Sequence, residues 1–257
     1  MISVVLATHN EEKNISACLE SVKSFAEEII IADGESTDDT LEIAKKYKTI
    51  IINTTNKQNF HINKQIAMDR ANGDLVLQMD ADEIVDQELV EFIKRVHNDI
   101  LKKNYSGSSA WWIRRKNWFL GKFLTKGGQY PDPVIRLYMK GKAKLPQKDV
   151  HEQMVVDGEV GWAGGHLLHY GNPDFSTYLR KWNDYTSLRA TQLQENGEKI
   201  SILNFFNYFF AKSSWTFLNI FIRHKGLVDG LPGFIFALFS GLYFPFTYLK
   251  LWELNQK

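Results

Sequence analysis

Asp80 and Asp82 are the residues whose type and spacing most directly promise chemistry. Two carboxylates one residue apart on an extended chain point the same way. Paired hard oxygen donors suit a divalent cation, Mg²⁺ or Mn²⁺, that keeps positions open for phosphate oxygens. The bland alternative is a solvated acidic turn. The residues before the pair weigh against it: Gly73-Asp74 makes a turn, and Leu75-Val76-Leu77-Gln78-Met79 is a short apolar run. Such a run between breakers reads as a strand buried on both faces. Open α/β sheets place their ligands at the carboxyl ends of such strands.

The preceding chain supplies the elements that position this pair. Residues 2–7 form a β-branched run ended by Thr8-His9-Asn10-Glu11. A helix is expected over 12–24, with Ile15, Leu19 and Val22 at helical spacing and Asn10 or Thr8 as cap. Residues 28–33 repeat the buried-strand pattern and end on Asp33. A helix over 40–47 follows, capped by Thr37 or Asp38, then a strand over 49–52 and a helix over 59–71. This alternation predicts a parallel, doubly wound sheet. Right-handed crossovers gather the ends of the first, second and fourth strands along one edge.

Composition narrows the class. The chain has 257 residues and a formal net charge of +1, so no nucleic-acid partner is expected from its overall charge. The single cysteine, Cys18, excludes an internal disulfide and falls in the first expected helix, where it reads as core. No basic region precedes the 2–7 strand, so no signal peptide is expected and the first half is placed in the cytoplasm.

Taken together, Val4 to Glu12, Ile30 to Thr40 and Gly73-Asp74 leading to Asp80-Ala81-Asp82 resemble the family 2 glycosyltransferases. The resemblance implies a GT-A fold, a Rossmann-like, mostly parallel α/β sheet flanked by helices. It implies that Thr8, Asn10 and Glu11 line a nucleotide-sugar pocket and that Asp33 reads base or ribose. Asp80 would hold ribose, and Asp82 a metal on the diphosphate. Family 2 enzymes are inverting, which calls for one general base. By position, Glu152 is the first choice and Asp149 the second, with His151 as metal ligand or orienting group. Alone, a His-Glu pair would read as a surface turn. The run from Arg136 to Lys142, Val150-His151-Glu152 and Leu168 to Gly171 resemble a narrower bacterial group, the WaaE-like glucosyl- and heptosyltransferases of lipopolysaccharide core synthesis. That likeness implies a lipid-linked glycan acceptor. A polyprenyl-phosphate acceptor and a non-catalytic nucleotide-sugar-binding scaffold are the competing readings. Residues 110–118, aromatic and basic, read either as a half-buried strand or as a surface for a sugar or an anionic acceptor. His166 and His169 read as structural polar groups, with completion of a metal site as the alternative.

The C-terminal part is different. A helix is expected over 175–194, then an aromatic run over 202–222 and an uncharged run over 231–249. The last run approaches the length of a membrane span but contains Pro232, Gly233, Gly241 and Pro245. A hairpin through the bilayer, helices lying in its interface and a buried dimer appendage (a homo-oligomer) are the three readings. Arg223, Lys225 and Lys250 flank the apolar runs and favour an anionic cytoplasmic membrane surface. The expected organisation is a catalytic domain over 1–172, with donor half 1–100 and acceptor half 101–172, and a helical membrane-associated region over 173–257.

Overall fold

The computed structural model describes residues 1–57, 59–102, 105–146 and 153–256. The chain forms two compact units, Met1–Arg115 with Asp132–His169, and Lys116–Pro131 with Tyr170–Lys257.

The first unit begins with β1 (Ile2–Thr8), α1 (Ile15–Val22), β2 (Glu28–Gly34), α2 (Thr40–Lys45), β3 (Ile50–Thr54), α3 (Phe60–Arg70) and β4 (Leu75–Met79). β1 pairs in parallel with β2 and β4, and β2 with β3. These strands read as continuous apolar runs because both faces are covered. Leu6, Ile31 and Leu77 pack with Ile15, Leu19 and Val22 of α1 on one side. Val5, Ile30 and Val76 pack with Ala67 and Met68 of α3 on the other. Alternation along each strand divides neighbours between the two layers.

The chain continues through β5 (Glu83–Val85), α4 (Gln87–Ile100), β6 (Ala110–Phe119), β7 (Lys122–Phe123), β8 (Pro133–Met139), β9 (Ala143–Lys144), β10 (Val155–Val156) and β11 (Val160–His169). Among the described residues the main sheet runs β3-β2-β1-β4-β8-β6-β11-β5. β8 is antiparallel to both β4 and β6, and β5 is antiparallel to β11. The sheet is therefore mixed. Its first half uses crossover helices, and an antiparallel half follows, which needs no crossover helix between strands. β5, α4 and β11 lie beyond the sequence expectation. The signal for α4 is nonetheless plain: Asp86 caps it by accepting from Leu89 N at 2.9 Å, and Leu89, Val90, Ile93 and Val96 bury one face. β11, with Gly161, Gly164 and Gly165, carries no clean alternation.

Gly73 shows how tightly β4 enters the sheet. A Cβ there would lie 2.6 Å from the Met1 carbonyl oxygen and 2.7 Å from the Ser3 amide. Gly73→Ala is expected to lower stability by about 1–3 kcal/mol through overpacking. The check is a lower urea midpoint at unchanged slope.

In the second unit, α5 (Phe175–Glu195) is followed by α6 (Ile202–Phe206) and α7 (Ser213–Leu218), with π-helical turns over Asn207–Lys212 and Asn219–Arg223. A 3₁₀ turn over Gly226–Asp229 leads into α8 (Gly230–Leu254). Ala190 and Leu193 of α5 pack with Tyr208, Tyr248 and Leu251. Gly241 lets α8 approach the α7 backbone, since a Cβ there would lie 2.9 Å from the Ser213 carbonyl oxygen. One helical stretch among the described residues, Gly226–Leu254, is long and apolar enough to cross a membrane.

Candidate active site

Parallel register sets Thr8 beside Asp33 and Leu6 beside Met79, so the carboxyl ends of β1, β2 and β4 form one edge. There Thr8 Oγ1 donates to Asp33 Oδ1 at 2.9 Å. Ser36 donates its amide to Asp33 Oδ2 at 2.9 Å and its hydroxyl to Oδ1 at 2.6 Å. An ionised carboxylate offers about four acceptor positions. These bonds fill three of them and organise the loop leaving β2. Asn10 sits in the left-handed region (φ 55°) and accepts from Thr37 N at 2.8 Å. His9 Nδ1 lies 2.6 Å from the Gly34 carbonyl. A carbonyl can only accept, so Nδ1 carries the proton. Glu11 donates its amide to Thr40 Oγ1 at 2.7 Å and accepts from Asn14 Nδ2 at 2.8 Å. Thr8, Asn10, Glu11 and Asp33 therefore stand together, joining β1 to β2. The expected caps differ: Asn14 occupies the N-cap of α1 and Asp39 that of α2, neither with a side-chain cap bond. Asn10 is instead used to tie the two loops.

The Asp80-Ala81-Asp82 segment is a turn, not the extended chain expected from spacing. Glu83 N donates to the Asp80 carbonyl at 3.0 Å, and Asp80 N donates to Glu83 Oε2 at 2.9 Å. Closing that turn gives the two carboxylates separate partners. Asp80 is paired with Lys64 and, at 2.6 Å, with Arg136 Nη2. Asp82 lies 3.4 Å from His169 Nε2, brought there by pairing of β11 with β5.

Around Asp80 the charges alternate. Glu83 is fully buried between Arg115 at 3.5 Å and Arg136 at 3.7 Å. Arg115 also binds Asp132 through Nε at 2.9 Å and Nη2 at 2.8 Å. Burial opposes ionisation of Asp80, but the Arg136 guanidinium and Lys64 ammonium outweigh it and hold its carboxyl well below the usual range. Burial lowers the Lys64 ammonium below its ordinary value, although Asp80 pulls it up. For Arg136 burial is outweighed by Asp80 and Glu83, which raise its value.

Lys64, Asp80, Arg115 and Arg136 line a cavity of ≈ 240 Å³ together with Phe60 and His61. His61 Nδ1 donates to the Pro146 carbonyl at 2.9 Å, and burial lowers its basicity. Three cations lining one cavity suit phosphate oxygens, the guanidinium groups by their planar forks. Spacing alone did not single out Lys64, His61 or Arg136 as site residues. Arg136 nonetheless left a trace, a charge at the centre of the apolar strand β8.

Among the described residues no three His, Cys, Asp or Glu side chains gather as a metal cluster. Asp82 and His169 supply one carboxylate and one imidazole, a set that fits a divalent cation taking its other ligands from a diphosphate. His166 is structural: its amide and Nδ1 both meet the Asp86 carboxylate, at 3.0 and 2.9 Å, and steady the cap of α4. In β6, Arg114 donates to the Ala163 carbonyl at 3.0 Å and lies 5.0 Å from the Trp162 ring. Asp149, His151 and Glu152 lie outside the described residues.

Residues 3–145 match the family model described as Glycosyl transferase family 2. Over its whole length the chain is 30% identical to an uncharacterised glycosyltransferase of Rickettsia typhi, of which it covers 88%. It is 28% identical to the lipopolysaccharide core biosynthesis glycosyltransferase LpsC of Rhizobium meliloti, over 98% of this chain and 92% of that one. The crystal structure of S. aureus TarS 1-349 in complex with UDP is similar with a TM-score of 0.50 at 16% identity, covering 99% of this chain and 91% of the other. That likeness is one of fold, the GT-A arrangement of a mixed sheet flanked by helices.

Proposed function

Because this chain belongs to glycosyl transferase family 2, we propose that it moves a sugar, with inversion, from a nucleotide-sugar donor to a lipopolysaccharide core or related lipid-linked glycan at the cytoplasmic face of a membrane. The observation that carries the donor half is the turn that sets Asp82 and His169 together while Lys64, Arg115 and Arg136 line the adjoining cavity with Asp80. The likeness to LpsC and the apolar C-terminal helices support the acceptor half. UDP-sugars are the first donors to try, since UDP is bound in the TarS structure.

In this reading Thr8, Asn10, Glu11 and Asp33 hold the nucleoside. Asp80 stays ionised and keeps Lys64 and Arg136 in place, and the cations stabilise charge appearing on the diphosphate. When bound at Asp82 and His169, with His151 as a further candidate ligand, Mg²⁺ or Mn²⁺ would neutralise the diphosphate as a Lewis acid. The acceptor oxygen bonds to the anomeric carbon as the bond to the diphosphate oxygen breaks, and the hydroxyl proton passes to a base. Sequence position assigns that base to Glu152, with Asp149 second.

Transfer of labelled sugar into truncated lipopolysaccharide acceptors tests the reading. Glu152→Gln is expected to slow it by about 10²–10⁴-fold. An almost silent substitution would favour an acceptor already ionised, such as a polyprenyl phosphate. No transfer to either acceptor class from any donor would leave the binding scaffold.

A further inference from the structure

The long apolar helix α8 is covered along one side by α5. α5 lies along it through polar contacts: Trp182 Nε1 donates to the Phe239 carbonyl at 3.0 Å, and Gln194 Nε2 to the Leu254 carbonyl at 3.2 Å. Between them Lys250 Nζ meets Asn183, Thr186 and Ser187, at 2.7–2.8 Å. The outward side of α5 carries exposed Asp184, Arg189 and Glu195. A spanning α8 would drag these charges into hydrocarbon, where charged side chains are strongly disfavoured.

From Ile202 to Leu231 the exposed side chains are mostly apolar. Leu203, Phe206, Phe210, Trp215, Ile222 and Leu227 are exposed, Leu203 by 78% and Trp215 by 65%. Charge is segregated with them. Residues 202–231 carry three lysines and arginines, Lys212, Arg223 and Lys225, and one carboxylate, Asp229. That carboxylate is buried, accepting from Thr125 N at 2.9 Å, Lys126 N at 2.8 Å and Thr125 Oγ1 at 2.8 Å. Gly127 N donates to the His224 carbonyl at 2.9 Å, so the basic turn 223–225 is clipped to the loop 125–127. An exposed aromatic face bordered by cations, with its only acid neutralised internally, complements an anionic lipid headgroup layer.

We propose that the helices from Ile202 to Leu231 lie in the plane of an anionic bilayer surface, docking the chain from one side without crossing it. The inference deepens the membrane part of the proposed function and rests on that reading. Aromatic rings and cationic side chains fill the headgroup zone, while α5 remains in water. Asp229 holds the turn that presents Arg223, Lys225, Leu227 and Val228.

The full chain is tested by flotation with vesicles of anionic phosphatidylglycerol mixed with phosphatidylethanolamine, against neutral phosphatidylcholine. Expected is binding to the anionic vesicles alone, reversed by about 0.5 M salt, which screens surface charge, and by alkaline carbonate. The pairs Arg223→Glu with Lys225→Glu, and Leu203→Asp with Phe206→Asp, are each expected to cut partitioning by more than about tenfold. Metal-dependent donor hydrolysis in solution is expected to be unchanged in both, which also shows that they fold. Equal binding to neutral vesicles that survives carbonate would overturn the proposal in favour of a span. No vesicle binding, with a dimer that Leu203→Asp dissociates, would overturn it in favour of a second copy. Vesicle binding by a chain inert toward every donor would leave the docking intact and count against the reaction.

Discussion

Arg136→Met is expected to destabilise the protein by about 3–5 kcal/mol, because removing one partner of a buried ion pair leaves its counter-charges uncompensated. Among the described residues Arg136 is the one cation that touches both Asp80 and Glu83, and its side chain is 10% exposed. The variant should unfold at a much lower urea midpoint than the parent. The pH dependence should change with it. The folded-state value of Asp80 is depressed, so its contribution is present above the unfolded carboxyl value of about 3.9 and is lost as pH falls below it. In the variant Lys64, with a smaller contribution from His169, is left to oppose burial, so this contribution shrinks. The stability gap between pH 7 and pH 3 should narrow accordingly. A midpoint within experimental error of the parent at pH 7 would remove the alternating-charge network from the account.

Asp82→Ala is expected to lower donor turnover by about 10²–10³-fold, the scale for removing one electrostatic contact to a developing anion. Thermal stability should change little, since Asp82 lies in a turn and faces His169 at 3.4 Å rather than the buried cations. His169→Ala should act on the same step. If both side chains hold one cation, the double variant should lose far less than the product of the single losses. Independent, multiplicative losses would assign the two residues to separate tasks. Partial recovery of either single variant at raised Mn²⁺ would mark a metal ligand rather than a structural contact.

Much of the parallel part of the sheet was legible from residues 1–80. β1, β2 and β4 announce themselves as apolar runs because both faces are covered, and each ends on the polar residues that meet at one edge. The turn at Asp80 was not legible. It depends on Glu83 reaching back to the Asp80 amide, a choice made favourable by Arg115 and Arg136 arriving from distant strands. Lys64 gave no local sign either, since a lysine on a helix ordinarily faces water; its pairing with Asp80, beside the Phe60 ring, explains its burial. From sequence His169 reads as a structural polar group or as completing a metal site, and nothing local places it near Asp82; pairing of β11 with β5 does so. In the second unit, composition alone left a span, an interface and a dimer open. The polar company of α5, a tertiary fact, is what counts against the span in our proposal.

The most direct test of the central claim is hydrolysis of UDP-, ADP- and GDP-sugars by the intact chain with and without Mg²⁺ or Mn²⁺, since it needs no acceptor. Slow, metal-dependent release of one nucleoside diphosphate is the expected result. Absence of turnover with every donor, together with no calorimetric binding of UDP, ADP or GDP in the presence of metal, would contradict it.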